Sequence, residues 1–262
     1  MIEKDVKIIL SGIALCIITA LLAINLSYLV GVGLLGFEKS PLSPIIFAIL
    51  LGLIINNITI RLVKLAPGFQ FCIKYLLKLG IIFLGIRLSL LDFILYGSKS
   101  LIVVIPCILS TIILISLLKN KFDVSENLSL LIAVGTSICG ATAIVALAPS
   151  INAKKTEITY AIANITVFGL LAMFIYPIVA NLVFSNDLSI GLFLGSSIHE
   201  TAQVAGSGLI YAEQYSRQDV VGIATLTKLV RNTLMVIVIP YLAQRSLSNN
   251  NTKPNVSTIF PY

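Results

Sequence analysis

Apolar residues in this chain come in long runs, neither the alternation of a half-buried strand nor the one-sided stripe of a soluble helix. A helix rises 1.5 Å per residue, so about 20 mostly apolar residues cross a hydrocarbon layer of about 30 Å. Eight such segments can be marked. Ile8 to Tyr28, Pro44 to Ile60, Leu101 to Leu118 and Ile158 to Phe184 carry no charge and read as ordinary membrane helices. Phe71 to Phe93, Leu128 to Leu147, Leu188 to Ile210 and Val220 to Leu242 place polar or charged residues at depth. No long polar linker separates the segments, so residues 1–262 read as a single membrane domain. Residues 245–258, which contain SLSNNNTKPN, read as a polar loop or tail.

Composition sharpens this picture. The 262 residues are 58% hydrophobic and 11% charged, without tryptophan, and the mean hydropathy is +1.04. Soluble domains run at about 45 to 50% apolar and about 25% charged, so this much apolar surface belongs in a bilayer rather than in one soluble core. The net charge of +7 comes from Lys and Arg scattered between apolar runs, with no basic stripe, which excludes a nucleic-acid partner. Cys16, Cys72, Cys107 and Cys139 all lie in apolar segments without CxxC spacing. One histidine leaves almost no ligands for a His-based metal or haem site, and no cofactor is expected. MIEKDVK followed by an uncharged run from Ile8 to Gly36 is too long for a signal-peptide core and reads as a retained first span.

Short-loop Lys and Arg set orientation. Lys4 and Lys7, then Arg61, Lys64, Lys74 and Lys78, then Lys119 and Lys121 fall on one side, which puts the N-terminus in the cytoplasm. Lys154 and Lys155 break the pattern if the fifth segment crosses fully, and agree with it if that segment dips in and returns.

The fifth and seventh segments are alike. Gly135-Thr136-Ser137-Ile138-Cys139-Gly140-Ala141-Thr142-Ala143-Ile144 aligns without gaps on Gly195-Ser196-Ser197-Ile198-His199-Glu200-Thr201-Ala202-Gln203-Val204, sharing Gly, Ser and Ile at positions one, three and four. Transporters place paired broken helices in such stretches. Glycine weakens a membrane helix, while Ser and Thr offer freed backbone groups other partners. A break exposes N–H groups to an anion and C=O groups to a cation, so two facing breaks make a binding site. Close helix packing through small residues is the competing explanation. The broken-helix N-termini are expected around Ser137 and Ser197.

Ionisable residues mark the same region. A charge at mid-span costs about 2.5 to 3.5 kcal/mol on insertion scales, so one that stays there needs a reason. His199 and Glu200 are adjacent near the middle of the seventh segment, with Gln203 one turn on. Glu200 suits a proton or a cation, and His199 titrates near neutral pH. HETAQ is not HExxH, since Gln203 stands where the second zinc ligand would be. In the eighth segment Lys228 and Arg231 share a helix face and must point into the bundle, at Glu200 or at an anionic substrate. Arg87 lies deep in the third segment near Asp92, where interfacial snorkelling competes with a site role.

The strings LGIIFLGIRLSL, GTSICGATAIVALAP with its KKTE loop, GSSIHETAQVAGSG and ATLTKLVRN, between Leu79 and Leu242, resemble the YeiH-type family of sulfate exporters. That resemblance implies an integral membrane transporter, with sulfate as substrate, in the sodium/proton antiporter and bile-acid symporter superfamily, whose fold crosses discontinuous helices. It marks Ser137, Cys139, Gly140, Thr142, His199, Glu200, Gln203, Lys228 and Arg231 as motif positions. Members continue past the eighth segment, and Ile259-Phe260-Pro261-Tyr262 resembles the entrance to a further helix, which implies a C-terminally truncated chain.

The expectation is therefore an all-α polytopic protein of the bacterial cytoplasmic membrane, with two broken or re-entrant helices and no enzymatic activity. It moves a small anion by alternating access, in company with lipid, a coupling proton or sodium, and in a homodimer. Ser137, Cys139, Gly140, Thr142, Ser197, His199, Glu200, Gln203, Lys228, Arg231 and Arg87 are the candidate substrate-binding residues. A cation/proton antiporter built on Glu200 is the alternative. An intramembrane hydrolase with Ser137 or Cys139 as nucleophile and His199 as base ranks last, because the GxSxG elbow is absent.

Overall fold

The structure is a computed structural model, and it describes residues 2–34, 44–58, 64–76, 79–80, 83 and 90–249. Every element formed by the described residues is helical. The chain divides into two compact units, Met1–Arg87 with Leu209–Gln218, and Leu88–Gly208 with Asp219–Tyr262, where the sequence reads as one membrane domain.

In the first unit α1 (Ile2–Tyr28) runs on through a π-helical turn, Leu29–Leu34, and packs against α2 (Pro44–Ile58) and α3 (Ala66–Phe71). The α1 and α3 backbones touch at Gly12 and Gly68, where a Cβ on Gly12 would lie 2.8 Å from the Gly68 Cα. That approach is open only to glycine.

The second unit holds α4 (Leu90–Leu118), α5 (Glu126–Ser137), α6 (Ala141–Leu147), α7 (Lys155–Val183), α8 (Asp187–Ser197), α10 (Asp219–Thr233) and α11 (Met235–Asn249). Between α8 and α10 runs α9 (Thr201–Tyr215), whose first half belongs to this unit. Val104 and Ile108 of α4, Leu131 and Val134 of α5, Ile144 and Leu147 of α6, Ile165 of α7 and Leu242 of α11 build one apolar core. Large apolar side chains also point outward, among them Ile102, Leu117 and Leu182, the last 78% exposed. Helices that are apolar outside as well as inside suit lipid.

Among the described residues four helical stretches are long and apolar enough to cross a membrane: Lys7–Tyr28, Ile94–Leu118, Lys155–Val183 and Asp219–Ser246. They correspond to the first, fourth, sixth and eighth segments read from the sequence. The second is a 15-residue helix, and most of the third, with Arg87, lies outside the described residues. The eighth is interrupted at Leu234, between α10 and α11. Residues 245–249, read as part of a polar tail, continue α11, and the rest of that tail lies outside the described residues.

The fifth and seventh segments break where their glycines and hydroxyls predict. Ser125 starts α5 by accepting a hydrogen bond from the Leu128 N–H, and Asn186 starts α8 by accepting one from the Ser189 N–H. The helices stop at Ser137 and Ser197, and new ones begin at Ala141 and Thr201. Gly140 bridges the first gap at φ +74°, a conformation that favours glycine. α8 packs closely on α10 through Gly191 and Gly195, a GxxxG pair. A Cβ on Gly191 would lie 2.6 Å from the Ile223 Cβ, and one on Gly195 2.6 Å from the Thr227 Cβ.

Candidate functional site

Where α5 and α8 end, each leaves carbonyl groups without an intrahelical partner and a partial negative charge. Two cations from α10 take them up. The Lys228 ammonium donates to the carbonyl oxygens of Ile138 at 2.7 Å, Ile198 at 3.1 Å and His199. Three acceptors match the three N–H donors of an ammonium. Arg231 donates from Nε to Ser137 O at 2.7 Å, from one terminal nitrogen to Ser196 O at 2.7 Å and Ile198 O at 3.0 Å, and from the other to Thr136 O. Both side chains are buried, Lys228 completely. The two breaks therefore face each other, clamped by one helix that contacts neither through a carboxylate. Among the described residues no ion pair joins Lys228 or Arg231 to Glu200.

This geometry corrects one expectation. Ser137 and Ser197 do not sit at helix N-termini offering N–H donors; they close the C-terminal ends of α5 and α8, and their surroundings are carbonyl-rich. The reason lies in chain direction. The glycines that weaken the helices, Gly135 and Gly195, precede the break, so the serines fall on its upstream side.

Lys228 and Arg231 are also held by α10's own setting. Thr227, one residue before Lys228, is fully buried against Gly195, and its hydroxyl lies 2.9 Å from the Ser100 hydroxyl on α4. That contact fixes the rotation of α10 and aims the two cations at the breaks.

Glu200 and Gly140 occupy the same position of the ten-residue repeat and meet in space. A Cβ on Gly140 would lie 2.7 Å from the Glu200 Cγ. The glutamate of one break thus lies against the glycine of the other. Gln203 closes the start of α9: its Oε1 accepts the Glu200 N–H at 3.2 Å, a reach-back of the capping-box kind. Its amide fits only because α7 has Gly169 there. Gln203 therefore has a structural duty that its sequence position does not disclose.

The remaining candidates scatter around the two breaks. Cys139 is buried, with its thiol 3.7 Å from the Met235 sulfur on α11. Thr142 is exposed, while His199 and Glu200 are half-buried. The Nδ1 atom of His199 and the Oδ1 atom of Asn232 are buried without a hydrogen-bond partner among the described residues. His199 makes no hydrogen bond to Ser137 or Cys139 among the described residues; Ser137 donates instead to Val134 O. Thr111, Ser137, Ser196, Ser197 and Arg231 line a cavity of about 180 Å³. Arg231 makes four hydrogen bonds, which leaves one of its five N–H groups without a partner among the described residues.

Several participants escape a reading of side chains. Thr136, Ser196, Ile138 and Ile198 contribute backbone oxygens, Ser100 braces Thr227, and Asn232 donates to the Thr201 hydroxyl at 3.2 Å. The gapless repeat alignment, which pairs Thr136 with Ser196 and Ile138 with Ile198, is the one signal that marks the first four.

Known proteins similar to this chain are named as membrane proteins. A UPF0324 membrane protein of Streptococcus agalactiae is 30% identical over 252 residues, covering 95% of this chain and 72% of the relative. The UPF0324 inner membrane protein YeiH of Escherichia coli strain K12 is 32% identical over 228 residues, covering 84% of this chain and 64% of that protein. A UPF0324 membrane protein of Clostridium tetani is 32% identical over 216 residues, 81% of this chain and 62% of the relative. No solved structure matches the chain. The family described as Conserved hypothetical protein 698 matches residues 11–262. With its apolar helices and the motifs at both helix breaks, the chain belongs to this family of YeiH-like UPF0324 membrane proteins.

Proposed function

We propose that the chain is a secondary transporter of a small anion, sulfate or an organosulfonate, working by alternating access in the bacterial cytoplasmic membrane with its N-terminus inside. The observation that carries this reading is the burial of Lys228 and Arg231 where two broken helices end. Charge counting gives it content. Two cations outweigh two helix C-termini worth about −0.5 each, and the N-termini of α6 and α9 at the same breaks add to the positive side. An ionised Glu200 offsets part of that surplus, and a protonated Glu200 leaves it whole. An anion then enters with a proton, and the pair leaves together. Arg231's fifth N–H, beside the cavity, is the contact for one oxygen of the anion.

A cation/proton antiporter would need Lys228 and Glu200 to compete as direct partners. The carbonyl ligands of Lys228 favour the anion reading over it. A hydrolase reading needs a base beside a nucleophile, and the hydrogen bonds of Ser137 run elsewhere; transport without enzymatic activity is the simpler account.

Currents from the reconstituted full chain on a solid-supported membrane test the proposal. Sulfate-dependent, pH-dependent currents are expected. Currents that require only sodium and a pH gradient, with no anion effect, would replace it with the antiporter.

A further inference from the structure

Charge compensation describes only part of what Lys228 does. Its nitrogen is surrounded by three backbone oxygens from two different helix breaks, with full burial and no carboxylate among its hydrogen-bond partners. Carbonyl oxygens converging from freed backbone are the ligand set with which membrane proteins hold a monovalent cation, because they replace its water without adding a fixed charge. An amine reaching such a place on a tether is held by its stem as well as by its ligands. The stem here is fixed too, since the preceding residue, Thr227, is locked between Ser100 and Gly195.

We propose that the Ile138, Ile198 and His199 carbonyls form a monovalent-cation site that the chain fills permanently with its own ammonium group. Sodium and potassium then have no seat at the crossing. The proposal deepens the transport reading in one respect, because coupling falls to the proton at Glu200. The site itself stands whether or not the chain transports an anion. It also assigns Lys228 a role that Arg231 does not share: a planar guanidinium spreads over four carbonyls, whereas a compact ammonium sits at a single point, as a free ion would.

An alanine at position 228 removes Cγ, Cδ, Cε and Nζ, which together match n-propylammonium. The full-length Lys228→Ala protein in detergent should melt well below the wild type. Propylammonium chloride should raise its Tm by about 5 °C or more and saturate, as ligand linkage requires. The neutral isostere 1-propanol and matched choline chloride should leave it unchanged. Wild-type protein, whose site is filled, should melt alike in sodium, potassium and choline salts and ignore the amine. A variant recovered only when propylammonium is present during purification gives the same answer. The proposal falls if the amine does no better than the alcohol, if the variant is recovered in neither condition, or if sodium or potassium specifically stabilises the wild type. None of these melting readouts depends on transport, so a failed site and a failed transport reading leave different records.

Discussion

The ammonium nitrogen of Lys228 lies 2.7 Å from the carbonyl oxygen of Ile138, 90 positions earlier in the chain. The same nitrogen reaches Ile198, which holds the matching place in the second copy of the ten-residue repeat. Arg231 repeats the pattern one turn on, with Thr136 and Ser196. The likeness between the two strings is therefore structural. Each ends a helix at equivalent residues, and two equivalent pairs of oxygens, Ile138 with Ile198 and Thr136 with Ser196, are gripped by one pair of cations.

Arg231→Lys should be strongly destabilising although the charge is kept. Lysine has three donors on one nitrogen and a different reach, so at least one of the four hydrogen bonds is lost; Ile198 O keeps Lys228 as a donor, whereas Thr136, Ser137 or Ser196 left without one costs about 1 to 3 kcal/mol when buried. Thermal melting in detergent should fall by several degrees, about 2 to 4 °C per kcal/mol for a chain of this size. A variant melting with the wild type would show that the guanidinium fork contributes no stability.

Gly140→Ala meets two penalties. The backbone at φ +74° and ψ −130° is essentially a glycine conformation that costs another residue about 1 to 3 kcal/mol, and that Cβ would collide with the Glu200 side chain. Combining it with Glu200→Ala should recover the steric part and leave the backbone part, giving a coupling of about 1 kcal/mol or more in a double-mutant cycle. Additive effects would mean that the two residues do not touch.

Gly195→Ala should separate α8 from α10, because the new methyl would press on the Ala224 carbonyl oxygen as well as on Thr227, and backbone cannot move aside as a flexible side chain can. A loss of about 1 to 3 kcal/mol is expected, as for an overpacked core. Gly97→Ala on α4 is the control, since among the described residues nothing lies within 4 Å of the added methyl. Equal melting temperatures for the two variants would refute close packing at Gly195.

Glu200→Gln keeps the shape and removes the titrating charge. The variant should insert and fold, still exchange anion across the membrane at equilibrium, and fail to accumulate it against a gradient driven by pH. Proton-driven accumulation at the wild-type rate would take Glu200 out of the coupling step.

How much of this was legible beforehand differs from residue to residue. The breaks near Ser137 and Ser197 follow from glycine and hydroxyl chemistry within a few residues of sequence, and they lie where that chemistry puts them. Lys228 and Arg231 were identifiable as inward-facing because lipid tolerates no other direction. Their partners were not identifiable, because backbone oxygens carry no residue-specific signature; a carboxylate or a substrate was the natural guess. Gln203 was read as a site residue from its place one turn past Glu200, and only its hydrogen bond from the Glu200 N–H, in the space left by Gly169 on α7, shows that it caps a helix.

The amino-acid sequence alone determined the lipid environment, the helical class and the positions of the two breaks, since each follows from the cost of placing a given side chain or peptide in hydrocarbon. Tertiary structure alone decided which ends of the broken helices meet and what neutralises them. Such contacts depend on how α8 and α10 rotate and close on one another through Gly191, Gly195 and Thr227, over separations that no local pattern records.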